Sequence, residues 1–233
     1  MLFLLAAVLT VPAFPSPAGT IREERKVKAF EGVSIALSAD VSLRQGPETK
    51  VVLEGPSDFL EKVETVTEGG ILKIRFYSKY NRRKTPTGRI RIYLTTPGVK
   101  NLIVTGSANI IAETPVDAGK MLKALVTGSG KIQIGDLTAG SVRMSVTGSG
   151  KIRVAGKGVD EVIVAITGSG DVVAEDLPAQ EVKVSITGSG DAYVYAVKYL
   201  KAGITGSGDV HYRGPGTIDA HITGSGNVRK DDR

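Results

Sequence analysis

The tetrapeptide Thr-Gly-Ser-Gly recurs through the second half of the chain and constrains the fold more than any other feature. It begins at Thr127, Thr147, Thr167, Thr187, Thr205 and Thr223, and a degenerate copy, Thr-Gly-Ser-Ala, begins at Thr105. Successive copies lie 22, 20, 20, 20, 18 and 18 residues apart. Self-similarity at this period marks a stacked architecture, in which one unit cannot bury its own apolar face but a column of units can.

Within a unit, Val182, Val184 and Ile186 alternate with Lys183, Ser185 and Thr187, and Ala192 and Val194 keep the same parity beyond the glycines. Strict alternation with β-branched residues at the apolar positions is a strand signal, so each repeat holds two short strands flanking Gly-Ser-Gly. A hairpin would call for Asn-Gly or Asp-Gly turns, and neither dipeptide occurs in the chain. At ~3.3 Å per strand residue the unit fits one coil of a solenoid, with equivalent strands of successive coils paired in parallel. The expected fold is therefore all-β: a parallel β-helix-like solenoid preceded by an irregular β-rich part. Gly188 and Gly190 fall on the inward parity, where they permit a corner or a close backbone approach, while Thr187 and Ser189 stack as hydroxyl ladders. A nucleophilic role for the repeated serine fails, because no Gly-x-Ser-x-Gly run leads from strand to helix.

Residues 20–104 look different. Short strands are expected at 27–30, 33–37, 41–43, 50–53, 71–77, 89–94 and 99–104. A single helix is expected over Pro56–Val63, capped by Ser57, and a turn at Glu68-Gly69-Gly70. The chain thus divides into an N-terminal segment 1–18, a β-rich part 19–104, the repeats 105–228 and a charged tail 229–233 that blunts the last open strand edge.

The segment 1–18 bears on destination. Leu2–Phe14 is apolar and is followed by Ser16-Pro17-Ala18, a small-residue pattern suited to cleavage after Ala18. This resembles a secretory signal peptide, although no Lys or Arg precedes the apolar run. No other run is long enough to cross a bilayer as a helix. The absence of cysteine removes disulfides, thiolate metal sites and Cys-linked lipid anchors.

Three stretches together carry a family resemblance: VKAFEGVSIALSADVSLRQG at 27–46, GGILKI at 69–74 and IRIYLTTPGVKNLIVTGSA at 90–108. With the serial TGSGDV units, they resemble the putative autotransporter adhesin "head GIN domain" family over roughly residues 20–228. The resemblance implies a β-helix-like protein of bacterial envelopes, exported past the inner membrane to the periplasm, the cell surface or the medium. It implies no catalytic residues and no cofactor, and self-export through a C-terminal membrane barrel is not expected.

One local anomaly is a candidate contact surface. Lys73, Arg75, Lys79, Arg82, Arg83, Lys84, Arg89 and Arg91 bring eight positive charges with no acid between them, and the net charge of the chain is +6. The rest of the chain therefore sums to −2, so the basic character is local. Tyr77 and Tyr80 interleave with it. Lys79, Tyr80, Arg82, Arg83, Lys84 and Arg89 are the expected ligand contacts, toward envelope polysaccharide or anionic lipid headgroups. A plain solvated loop over 78–88 is the competing reading. No nucleic-acid module is recognisable, so nucleic acid is not an expected partner.

A second column follows each Gly-Ser-Gly: Lys131, Lys151, Asp171, Asp191, Asp209 and Asn227, with Asn109 after the degenerate copy. Lys151 above Asp171 is favourable, whereas stacked aspartates repel unless hydrated or bridged. Calcium is conceivable there, but the repeats are twice as long as the nonapeptide calcium-binding unit and lack its double glycine, so no metal site is expected. His211 and His221, each two residues after an aspartate, have no nucleophile or oxyanion hole to serve. Paired carboxylates for glycoside cleavage would need a groove, which outward-facing Tyr193, Tyr195 and Tyr199 could line. The function expected is a non-enzymatic, exported, rigid adhesion, interaction or structural module, with a protein partner as the alternative to a polyanion. The competing functions are a carbohydrate-active β-helix enzyme and a self-associating scaffold whose coils stack end to end.

Overall fold

The computed structural model describes residues 19–78 and 89–231. The apolar run and small-residue pattern read as a signal peptide lie outside the described residues, as do Lys79, Tyr80, Arg82, Arg83 and Lys84. The architecture is a stack of coils. Strands from successive coils pair in register and build two long walls around one apolar core.

In the first wall the order is β5 (Val63–Glu68), β6 (Ile71–Phe76), β2 (Gly32–Ala36), β8 (Asn101–Gly106), β11 (Met121–Gly128), β13 (Ser141–Gly148) and β15 (Val159–Gly168). It continues with the second halves of β16 (Asp171–Gly188) and β17 (Ala192–Gly206) and ends at β19 (Thr217–Gly224). In the second wall β1 (Thr20–Glu24) is followed by β4 (Lys50–Pro56), β7 (Ile90–Thr96), β3 (Ala39–Gln45), β9 (Asn109–Ala112), β12 (Lys131–Thr138) and β14 (Lys151–Gly156). The first halves of β16 and β17, then β18 (Val210–Arg213) and β20 (Val228–Lys230), complete it. The short β10 (Val116–Asp117) pairs with the end of β12.

The repeats stack in register, with Thr127, Thr147, Thr167, Thr187, Thr205 and Thr223 in one column. This is the parallel solenoid that the spacing implied. Alternate residues fill the core, so Val182, Val184 and Ile186 are buried while Lys183, Ser185 and Thr187 face solvent. The glycines allow the close approach expected of them. Gly148 sits at φ +110°, and a Cβ there would lie 2.7 Å from the Gly128 carbonyl oxygen of the coil before. The two coils are joined at that corner by the Ser149 N–H, which donates to the same carbonyl at 3.0 Å.

Residues ahead of the repeats join the same ladder. β2 and β3 pair in parallel with β8 and β9, and one apolar core runs from Phe30 to Val210. Several local expectations need correction. Residues 27–30 form no strand. Their neighbour β1, unforeseen because Thr20–Glu24 lacks alternation, pairs antiparallel with β4. The helix α1 spans only Ser57–Leu60, with Pro56 at its N-cap and no side-chain cap bond from Ser57. Four residues suffice because the helix works as a plug. It leads from β4 to β5, and so crosses from the second wall to the first at the N-terminal end of the stack. Phe59 and Leu60, 2% and 0% exposed, cover the core there.

Candidate functional site

The outer face of the first coils is built from four strands, β1, β4, β7 and β3. Their registers set Arg22 opposite Glu54, Glu54 opposite Arg91, and Arg91 opposite Asp40. Charge alternates across the row, the arrangement that cross-strand neighbours favour. Glu54 is its hub. Its carboxylate takes Arg91 at 3.0 Å and Arg22 at 3.3 Å and accepts the Tyr93 hydroxyl at 3.3 Å. Burial, followed by the charge of Glu54, raises the Tyr93 phenol above its ordinary pKa. The Arg22 guanidinium lies 4.9 Å from the centre of the Tyr93 ring.

Arg89, the described member of the expected contact set, belongs to this face. Its guanidinium donates to both Asp40 oxygens, at 2.8 and 3.2 Å, and to the Ala39 carbonyl at 3.1 Å. Other described cations of 73–91 are engaged in the same manner. Lys73 reaches Glu68 at 2.6 Å, and Arg75 reaches Glu64 at 2.7 Å across the β5–β6 hairpin. The hydrogen bond and charge of Lys73 hold the Glu68 carboxyl below its usual range. The flanks of the basic stretch are therefore neutralised by acids drawn from elsewhere in the chain, which lie outside the 73–91 window. The strands on either side of 79–88, β6 and β7, belong to the first and the second wall respectively.

Sequence reasoning missed a further group on this face. Arg22, Arg44 and Lys50, with Glu24, Tyr93 and Thr95, line an open depression of about 480 Å³. Arg44 meets Glu113 at 2.6 Å and Lys50 meets Glu24 at 3.7 Å. These residues come from separate strands with no shared spacing, so no linear signal points to them.

The column after Gly-Ser-Gly works as a structural ladder. Lys151 meets Asp171 at 3.2 Å. The Asp191 carboxylate accepts the Asp209 backbone N–H at 2.9 Å, and that of Asp209 accepts the Asn227 N–H at 2.8 Å. The carboxylates of Asp191 and Asp209 thus each accept a backbone N–H of the next coil, which offsets part of the like-charge repulsion. Among the described residues no group of three or more His, Asp or Glu gathers around a potential metal position. His211 stacks on Tyr193 at 4.7 Å and faces Asp231 at 3.4 Å. The three tyrosines do not share a groove. Tyr193 and Tyr195 pair with β18, in the second wall, whereas Tyr199 pairs with β19, in the first, and donates to Asp219.

Among the described residues no helix is long and apolar enough to cross a membrane. No curated protein matches the chain. Solved structures do. One is described as a putative adhesin from Bacteroides fragilis NCTC 9343, 21% identical, with a TM-score of 0.84 over 92% of this chain and 98% of the other. A second, described as a putative lipid binding protein from Parabacteroides distasonis ATCC 8503, is 26% identical, with a TM-score of 0.74 over 92% and 98%. A third, a putative adhesin from Parabacteroides merdae ATCC 43184, is 20% identical, with a TM-score of 0.71 over 92% and 97%. The family model "Putative auto-transporter adhesin, head GIN domain" matches residues 29–216. With fold and sequence in agreement, this chain belongs to the head GIN domain family, whose description is "Putative auto-transporter adhesin".

Proposed function

We propose that the chain is a non-catalytic, exported envelope module that holds anionic glycan or lipid headgroups through Lys79, Tyr80, Arg82, Arg83 and Lys84, with Arg89 as the anchor of the segment. The observation that carries this reading is a contrast in charge. Lys73, Arg75, Arg89 and Arg91 each have a carboxylate partner within 3.0 Å, whereas the stretch 77–88 between them contains four basic residues and no acid. Clustered positive charge attracts phosphate or carboxylate groups, and the attraction weakens with salt. Support comes also from the adhesin description of the family and from the P. distasonis relative described as lipid binding. Export is supported by the family's adhesin description and by the pattern of residues 1–18.

The test is binding of purified chain to anionic and zwitterionic vesicles and to acidic and neutral envelope glycans, at low and high salt. Changing Arg82, Arg83 and Lys84 together to Ser should abolish the salt-sensitive part of binding. Changing Lys120, Lys123 and Arg143, exposed elsewhere on the solenoid, should leave it intact. Vesicles and glycans separate the two sources of anion. Equal binding by both variants would remove the segment from the mechanism.

A further inference from the structure

The two ends of the solenoid are finished differently. At the N-terminal end α1 plugs the core, and Val27 and Phe30 pack against the same core. At the other end Tyr212 and Val228 pack against the core, but among the described residues nothing covers β19. Every residue of β19 is exposed, and Ile218 and Ile222 are 42% and 40% exposed. Their counterparts one coil earlier, Leu200 and Ile204, are 0% and 1% exposed. Ile218, Ala220 and Ile222 keep the inward parity, so they form the open floor of the core.

The backbone is also available. In earlier coils Lys123 and Ser141 donate their N–H groups to Lys100 and Lys120 of the coil before, and their register equivalents in β19 are Asp219 and Thr217. In a parallel strand the next residue faces the other way. The N–H and C=O groups of Ile218, Ala220 and Ile222 therefore point along the solenoid axis into the open. Edges of this kind are usually blunted by Lys, Pro or a bulge. β19 has none of these, and its register with β17 is unbroken.

The sequence of the edge is the decisive feature. Residues 217–223 read Thr-Ile-Asp-Ala-His-Ile-Thr, a palindrome about Ala220 in which Asp219 and His221 exchange. We propose that β19 docks a second copy of this chain, antiparallel and two-fold about Ala220. Ile218 then meets Ile222 of the second copy, Ala220 meets its own equivalent, and Thr217 meets Thr223. The inward-parity pairs exchange both backbone bonds, and the two cores become continuous. On the outer face Asp219 stands opposite His221 of the second copy, twice. An imidazole facing a carboxylate can donate a hydrogen bond to it, whereas like charges at directly facing positions are unfavourable. A one-residue register slip would expose the isoleucines, so the palindrome selects a single pairing.

The capped N-terminal end argues against head-to-tail stacking, and an isologous contact closes at two copies. Within each copy, Asp219 also receives the Tyr199 hydroxyl at 3.1 Å and lies opposite Lys201, and His221 lies opposite Gly203. On the other wall of the same coil β20 carries exposed Arg229 and Lys230, positive in both copies. Moderate salt screens that repulsion and belongs in the assay.

The experiment is sedimentation equilibrium of the purified chain across micromolar concentrations in moderate salt, with circular dichroism to confirm folding. The expected result is a monomer–dimer equilibrium. Ala220→Pro removes the N–H on the two-fold axis, which points away from the neighbouring coil of the same monomer, and should give a folded monomer. Asp219→Lys should weaken the dimer at least tenfold, whereas the exchange Asp219→His with His221→Asp should restore it, since the palindrome is kept. A monomer at every concentration, whether bare or occupied by some other strand, overturns the proposal. So does a dimer indifferent to Ala220→Pro, or one lost equally in the single charge reversal and in the double exchange. This surface is distinct from segment 79–88, so neither result bears on headgroup binding.

Discussion

Gly148→Ala tests the physical basis of the stack most directly. Gly148 closes one corner, at φ +110°, facing the Gly128 carbonyl of the coil before. An added Cβ would sit 2.7 Å from that oxygen, closer than side-chain carbons approach backbone. Two penalties combine. Holding a non-glycine residue in that backbone region costs roughly 1–3 kcal/mol, and overpacking against an immovable group adds about 1–3 kcal/mol. Relief requires the corner to open, which stretches the Ser149 N–H bond to the same carbonyl, 3.0 Å long, and that bond is worth about 1 kcal/mol. The lower entropy of the unfolded alanine chain returns about 0.4–1 kcal/mol. The net expectation is a loss of about 3 kcal/mol. Gly135→Ala is the control: Gly135 lies in β12, its φ is not in the left-handed region, and a Cβ there meets nothing within 4 Å. Only the entropic gain applies, so the change is neutral or stabilising by up to about 1 kcal/mol. Equilibrium urea unfolding followed by far-ultraviolet circular dichroism and by tyrosine fluorescence measures both midpoints. If Gly148→Ala unfolds within experimental error of the parent, or if the two alanines cost the same, the close-approach account of the repeated glycine is wrong.

Three further outcomes follow from buried contacts and charge. Leu60→Ala truncates the fully buried leucine of the α1 plug and should cost about 2–5 kcal/mol in the same unfolding assay. Thr96→Val should cost about 1–3 kcal/mol, because the Thr96 hydroxyl is buried and donates to the Phe30 carbonyl, which would lose its partner. The Ser42 hydroxyl and then the Arg44 guanidinium hold the Glu113 carboxyl below its ordinary value of 4.5. Its stabilising increment is complete above the unfolded value and is lost as pH falls through the lower folded one. Glu113→Gln should therefore lower neutral stability slightly and flatten the acid limb of the stability–pH curve below 4.5. Thermal melts across pH will show the two proteins converging in acid.

Much of the fold was legible because it is periodic. A side chain at Val182 has the same neighbours as its equivalents at Val142 and Val162, so parity alone locates the core. Where the period stops, reading weakened. Thr20–Glu24 became β1 only because the edge of β4 was free to receive it, and α1 is half the expected length because its purpose is to cover an end. The turn after Glu68 was easier to read: Gly69 and Gly70 adopt φ +58° and +74° at the hairpin between β5 and β6, as a glycine pair in a tight turn predicts.

By itself the sequence determined the stacked all-β class, the inward and outward faces, the need for glycine at each corner and the local concentration of positive charge. Those properties depend on spacing along the chain. Tertiary structure alone decided which charges are answered and which end of the stack is closed. Arg89 finds Asp40 and Arg91 finds Glu54 across 49 and 37 residues, and only the strand order β1–β4–β7–β3 puts them side by side. The palindrome at 217–223 is visible in the letters, yet it acquires meaning only once β19 proves to be the last described strand of its wall. A strand edge is a property of the sheet, since the same backbone groups are satisfied or open according to whether another coil lies above them.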